Sequence, residues 1–212
     1  HAAYAKYLKT LTPSHQLLLS RFNIQDLVFK VVGIGSVGTR CMTLLLTDAH
    51  DQPLFLQTKQ ALPSVLSKYF PQHQFTNKQR GQEIVYGQRL MQCASDSFLG
   101  WFKGPFNYEY YVRQLRDMKV SAEIELFTEL VFGRYAWLCS SVLAHAHAKA
   151  GGLSPEMSGY LGNNDDFAEA IVKYANRYAD VVESDYQKFR NACRTGTLKA
   201  RTDTDFRADL TV

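Results

Sequence analysis

Residues 28 to 61 read VFKVVGIGSVGTRCMTLLLTDAHDQPLFLQTKQA. Glycines 33, 35 and 38 form a Gly-x-Gly-x-x-Gly pattern directly after an apolar run, and Lys59 stands at the end of a later one. Glycines let a backbone reach positive φ and approach a phosphate, whose charge is then met by main-chain N–H groups. The residues after the third glycine decide the fold. A dinucleotide-binding turn needs a helix there, and an acidic residue about 20 positions on for the ribose. Here Thr39 to Thr47 is TRCMTLLLT, rich in β-branched and bulky residues, with no polar face at helical spacing and no cap. DAHDQP then supplies turn residues, and LFLQTK sets Leu54 and Leu56 against Phe55 and Gln57 in alternation.

The stretch is therefore expected to fold as strand, glycine loop, strand, turn, strand: an antiparallel ribbon and not a βαβ unit. In protein kinases a glycine-rich loop joins the first two strands, and a lysine on the third pairs with the nucleotide phosphates. Lys59 stands where that lysine would. The alternative is a glycine hairpin of no chemical importance, with a lysine that carries its charge to the surface.

Upstream, residues 2 to 21 predict two short helices broken at Thr12-Pro13, because proline can begin a helix but not continue one. Downstream, Asn77 is placed to cap a helix running to about Cys93, in spite of Gly81 and Gly87. In a kinase the helix after the lysine strand carries a glutamate that pairs with that lysine. Glu83 is the carboxylate inside this helix, and Gln88 the polar fallback. The plainer reading leaves Glu83 solvated on the first turn, complementing the helix dipole. Two aromatic-rich strands come next, at 97 to 104 and 108 to 115, and the second runs into a charged cluster of Arg113, Arg116, Asp117 and Lys119. That cluster is a solvated edge or part of a site, and strand ends carry function disproportionately.

From Ile124 the apolar period becomes 3.6. Phe127, Val131, Tyr135, Leu138 and Val142 predict one long buried helix, stopped by Gly151-Gly152. His145 and His147 on it face about 200° apart, so they cannot share a metal ion. Ser154-Pro155-Glu156 opens a further helix. Asn163 to Asp166 then cap a last one, in which Phe167, Ile171, Tyr174, Tyr178, Val182, Phe189 and Cys193 trace an apolar stripe. No set of metal ligands emerges.

The 212 residues are 46% hydrophobic and 13% aromatic, enough for one large domain or two small lobes. A dispersed net charge of +4 demands neither a nucleic-acid nor a membrane partner, and no apolar run approaches the roughly 20 residues that span a bilayer. A soluble, cytoplasmic protein is expected. Cys41, Cys93, Cys139 and Cys193 lack zinc-site spacing and read as reduced core thiols. The first residue is His1, not methionine, which suggests a piece of something longer. The expected fold class is α+β: a 1–26 helical segment, a 27–119 antiparallel sheet lobe with a glycine-rich hairpin and one packed helix, a 120–198 helical lobe, and a 199–212 polar tail.

The blocks FKVVGIGSVGTRC, PLFLQTKQALPSVL, GQRLMQCASDSFLGW, YYVRQLRDMK and LAHAHAKAGG, in this order, resemble the bacterial family known as domain of unknown function 2252, over about residues 17 to 198. Full-length members of that family carry an upstream half with blocks resembling the catalytic and metal-binding loops of aminoglycoside-phosphotransferase-type kinases. The resemblance thus implies a permuted kinase-like protein whose nucleotide lobe comes after its catalytic lobe. Gly33, Gly35, Ser36 and Gly38 would cover the phosphates of ATP with Mg²⁺, Lys59 would pair with them, and residues 110 to 119 would form the hinge against adenine. Neither the catalytic nor the metal block occurs in these 212 residues. The chain is then the nucleotide-binding half of an ATP-dependent phosphotransferase acting on an unidentified small molecule, silent without its N-terminal half. Two other readings stand beside it: a non-catalytic kinase-like regulatory module, and a dinucleotide-binding oxidoreductase fragment.

Overall fold

A computed structural model describes residues 2–30, 38–70, 79–115 and 121–199. They form an α+β fold in two compact units, His1–Gly152 and Leu153–Val212. The first unit is built on a five-stranded antiparallel sheet. Its strands are β1 (Asn23–Phe29), β2 (Cys41–Thr47), β3 (Pro53–Gln60), β4 (Gly100–Lys103) and β5 (Glu109–Gln114), in the order β1-β2-β3-β5-β4. Cys41–Thr47 is a strand, as its bulky and β-branched residues predict, and not the helix that a dinucleotide turn requires. The turn between β2 and β3 is held by Asp48, whose Oδ1 accepts the N–H groups of His50 (2.8 Å) and Gln52 (2.9 Å).

Two helices precede the sheet, α1 (Ala2–Leu8) and α2 (Pro13–Leu19), with Pro13 at the first helical position. They lie on one face of it. Tyr7, Leu11 and Leu19 form the core with Leu46, Leu54, Leu56, Phe98 and Val112. Since side chains alternate across a strand, Leu54 and Leu56 point to this face and Phe55, Gln57 and Lys59 to the other. The Tyr7 hydroxyl donates to the Phe98 carbonyl at 2.7 Å, tying α1 to the approach to β4. That approach is not paired, although the aromatic pattern carries the strand over 97 to 99. Asp96 takes the N–H groups of Phe98 and Gln114, both at 2.8 Å, and so ends the ladder early.

Helix α3 (Arg80–Met91) packs on the opposite face of the sheet, over β4 and β5. Gly81 and Val85 are its buried residues, while Tyr86 stands edge-on to Trp101. Its expected cap, Asn77, lies outside the described residues. The N-terminal N–H of Arg80 is met instead by the Glu109 carboxylate at 2.8 Å. At the other end the Lys149 ammonium donates to the carbonyls of Arg89 (3.1 Å) and Gln92 (2.6 Å). An anion at the N-terminus and a cation at the C-terminus both suit the helix dipole.

Lys149 belongs to α4 (Glu129–Gly151), capped by Thr128 and stopped by Gly152 at φ +63°. This helix packs on α3 within the first unit, which ends at Gly152. The expectation that α4 is buried is corrected: Val131 is 43% exposed, Leu138 54% and Val142 61%. Periodicity shows which face of a helix is apolar, not what covers it. The second unit holds α5 (Ser154–Leu161) and α6 (Asp166–Arg194). Asn164 Oδ1 accepts the Asp166 N–H at α6's start, at 3.4 Å. The stripe of Phe167, Ile171, Tyr174, Tyr178, Val182 and Phe189 lies on the surface.

A Cβ on Gly81 would overlap the Tyr110 carbonyl oxygen, whereas one on Gly87 meets nothing within 4 Å. Gly81→Ala should lower stability by about 1–3 kcal/mol despite its better helix propensity, and Gly87→Ala should raise it by about 0.5–1 kcal/mol, both read from urea unfolding. The Tyr4 hydroxyl is buried without a hydrogen-bond partner, and burial pushes its pKa up to about 12 from the usual 10. The folded state therefore holds this proton after the unfolded chain has released it, so stability falls as pH rises from about 10 to about 12. Tyr4→Phe should make that alkaline loss shallower in melting curves without lowering stability at pH 7.

Candidate functional site

The candidate site is the sheet face opposite the α1/α2 core. Register puts side chains from three neighbouring strands on it in two rows. Cys41, Lys59 and Tyr111 stand opposite one another, and one pleat repeat away stand Thr43, Gln57 and Arg113. Trp101 on β4 extends the first row, and α3 covers that end. At the other end the strands lead to the glycine segment. The Lys30 N–H donates to the Cys41 carbonyl, and the Gln60 N–H to the Arg40 carbonyl, each at 2.9 Å, so the ladder continues to the root of that segment. Gly38 sits there at φ +78°, a conformation that favours glycine.

Lys59 thus pairs with Cys41, three residues after Gly38. It is half-buried. With Arg113 and Lys30 it is one of three cations whose field acts on the Cys41 thiol, pulling its pKa down against the burial that raises it overall. Arg113 is held in place: its Nε and Nη2 donate to Gln57 Oε1 at 3.2 and 3.1 Å. Two oriented donors on one amide atom identify that atom as the oxygen, which leaves the Gln57 NH₂ directed elsewhere.

Gly33, Gly35 and Ser36, and equally Arg116, Asp117 and Lys119, lie outside the described residues. Among the described residues Glu83 forms no ion pair; the pairs present are Lys173–Glu169 and Lys188–Asp185, both exposed. Glu83 is half-buried on α3, two residues after Gly81, which touches the sheet, and three before Tyr86, which stands edge-on to Trp101. Gln88, seven residues on from Gly81, returns to nearly the same side of the helix. Of the strand-end charges, Arg113 alone can be placed, and it joins the face that carries Lys59. Sequence reasoning misses Thr43 and Gln57. The available signal is parity: Gln57 is two residues before Lys59 and must share its face.

The described residues hold no group of three or more His, Cys, Asp or Glu that could bind a metal ion, and no helix among them is long and apolar enough to cross a membrane. All four cysteines are free, but only Cys41 is buried; Cys93 and Cys139 are exposed, which corrects the expectation of four core thiols.

These features define an α+β protein with a lysine-bearing polar sheet face that leads to Gly38. The chain belongs to the family described as "Uncharacterized protein conserved in bacteria (DUF2252)", whose model matches residues 1–192. No curated protein and no solved structure matches it.

Burial separates the thiols chemically. In a timed reaction with an aromatic disulfide reagent, Cys93 and Cys139 should react at once, and Cys41 only when denaturant is added.

Proposed function

We propose that this chain is the nucleotide-binding part of a kinase-like phosphotransferase that takes ATP with Mg²⁺. The observation that carries the reading is the placement of Lys59 on the third strand, beside the root of the glycine segment that joins the first two, with a helix next in the chain. That is the arrangement by which kinases cover and pair nucleotide phosphates. In this reading Gly33, Gly35, Ser36 and Gly38 cover the phosphates through main-chain N–H groups and the Lys59 ammonium meets their charge. A face that carries both Lys59 and Arg113 fits an anionic ligand.

Phosphoryl transfer also needs metal ligands and a group that orients the nucleophile. These are assigned to the N-terminal half that the family resemblance implies, so this chain by itself binds without turning over. The acceptor is a small molecule and the location the cytoplasm, where ATP and Mg²⁺ are supplied. A second reading is a kinase-like module that binds nucleotide and regulates without catalysis, favoured by the lack of a catalytic-loop or metal block in these 212 residues.

Thermal-shift titration tests the reading. ATP–Mg²⁺ at about 100 times its Kd should stabilise the protein by about 2.7 kcal/mol, and Lys59→Ala should abolish most of the shift. No shift with ATP, or an equal shift in the variant, would overturn it. A shift with NAD in place of ATP would point to the oxidoreductase alternative.

A further inference from the structure

The row Thr43–Gln57–Arg113 contains two polar atoms that the fold buries and leaves unmatched. Gln57 is 0% exposed and Thr43 7%, yet Gln57 Nε2 and Thr43 Oγ1 have no nitrogen or oxygen partner. The Gln57 amide acts on the Cys41 thiol as a hydrogen-bond donor and lowers its pKa, but a thiol is a weak acceptor and leaves the amide short of a full partner. Buried polar groups are nearly always paired, and an orphan costs about 1–3 kcal/mol, so two of them side by side across neighbouring strands call for an explanation. An apolar pair of the same shape, such as valine for threonine, would remove the cost.

Position adds to this. The row lies one pleat repeat, about 7 Å, further along the strands from Gly38 than Lys59 does. Phosphates held at Lys59 would therefore leave the rest of a nucleotide to extend along the face toward this row. The row offers mainly donors: the Gln57 NH₂, the Thr43 hydroxyl, and the guanidinium N–H groups of Arg113 that Gln57 does not occupy. Arg113 is half-buried, on a long flexible stem, and is the member of the row that an incoming ligand meets first.

Resting on the nucleotide reading, we propose that Thr43, Gln57 and Arg113 form a base-recognition row, whose donors engage acceptor atoms of the nucleobase while Lys59 holds the phosphates. Specificity in this site then comes from buried side chains on the middle of the sheet.

The test compares ATP–Mg²⁺ with inorganic tripolyphosphate, which has the phosphates and no base, by calorimetry on the wild type, Thr43→Val, Gln57→Glu and Lys59→Ala. Gln57→Glu keeps an oxygen for Arg113 and replaces the donor with an acceptor. The wild type should bind ATP more tightly than tripolyphosphate. Thr43→Val and Gln57→Glu should each weaken ATP about tenfold, with the Thr43→Val affinity for tripolyphosphate unchanged, whereas Lys59→Ala weakens both ligands alike. Without ligand, Thr43→Val should melt no lower than wild type, since it removes an orphan hydroxyl. Undiminished ATP binding in Thr43→Val and Gln57→Glu, alongside loss in Lys59→Ala, would overturn the row and leave the nucleotide reading standing. No ATP binding by the wild type would overturn both.

Discussion

The fold turns on β3. It is hydrogen-bonded on both sides, to β2 and to β5, and its alternating residues serve two environments at once. Leu54 and Leu56 enter an apolar core closed by α1 and α2, while Gln57 and Lys59 stand on a polar face. The strand period leaves no freedom here. A slip of one residue would carry the leucines to the polar face and the lysine into the core, so the same pairing that stabilises the sheet also fixes the site. Polar chemistry on a buried sheet is tolerable because the register sets the Gln57 amide opposite Arg113, which satisfies its oxygen.

Much of this sheet was legible in the residues. Bulk and branching at Cys41–Thr47, turn chemistry in DAHDQP and alternation in LFLQTK each point to one local structure, and they agree with one another. Helix boundaries were legible where proline or glycine punctuates, as at Pro13 and Gly152. The cover over a helix was not. The apolar periods of α4 and α6 are real, yet those faces are exposed, because an amphipathic pattern states a requirement for a neighbour without naming it. The start of α3 was displaced for a related reason: its first N–H is met by Glu109, a residue distant in sequence, which no local cap pattern reveals.

The site was legible in part. Lys59 stood out because it ends the third strand after a glycine pattern, where a kinase carries its phosphate-pairing lysine. Gln57 and Thr43 did not, since a polar residue in an alternating strand ordinarily reads as solvent-facing. Their burial and their lack of partners arise from the pairing of three strands, a property of tertiary structure.

The mounting of α3 has a mechanical implication. One end is tethered to the sheet through Glu109, the other to α4 through Lys149, and at Gly81 the helix rests on the Tyr110 backbone with no side chain between. Gly81 adjoins Arg80, so both sheet contacts seat the same end of α3 on β5, and a bulky side chain at Gly81 would lift that end from the strand that carries Arg113.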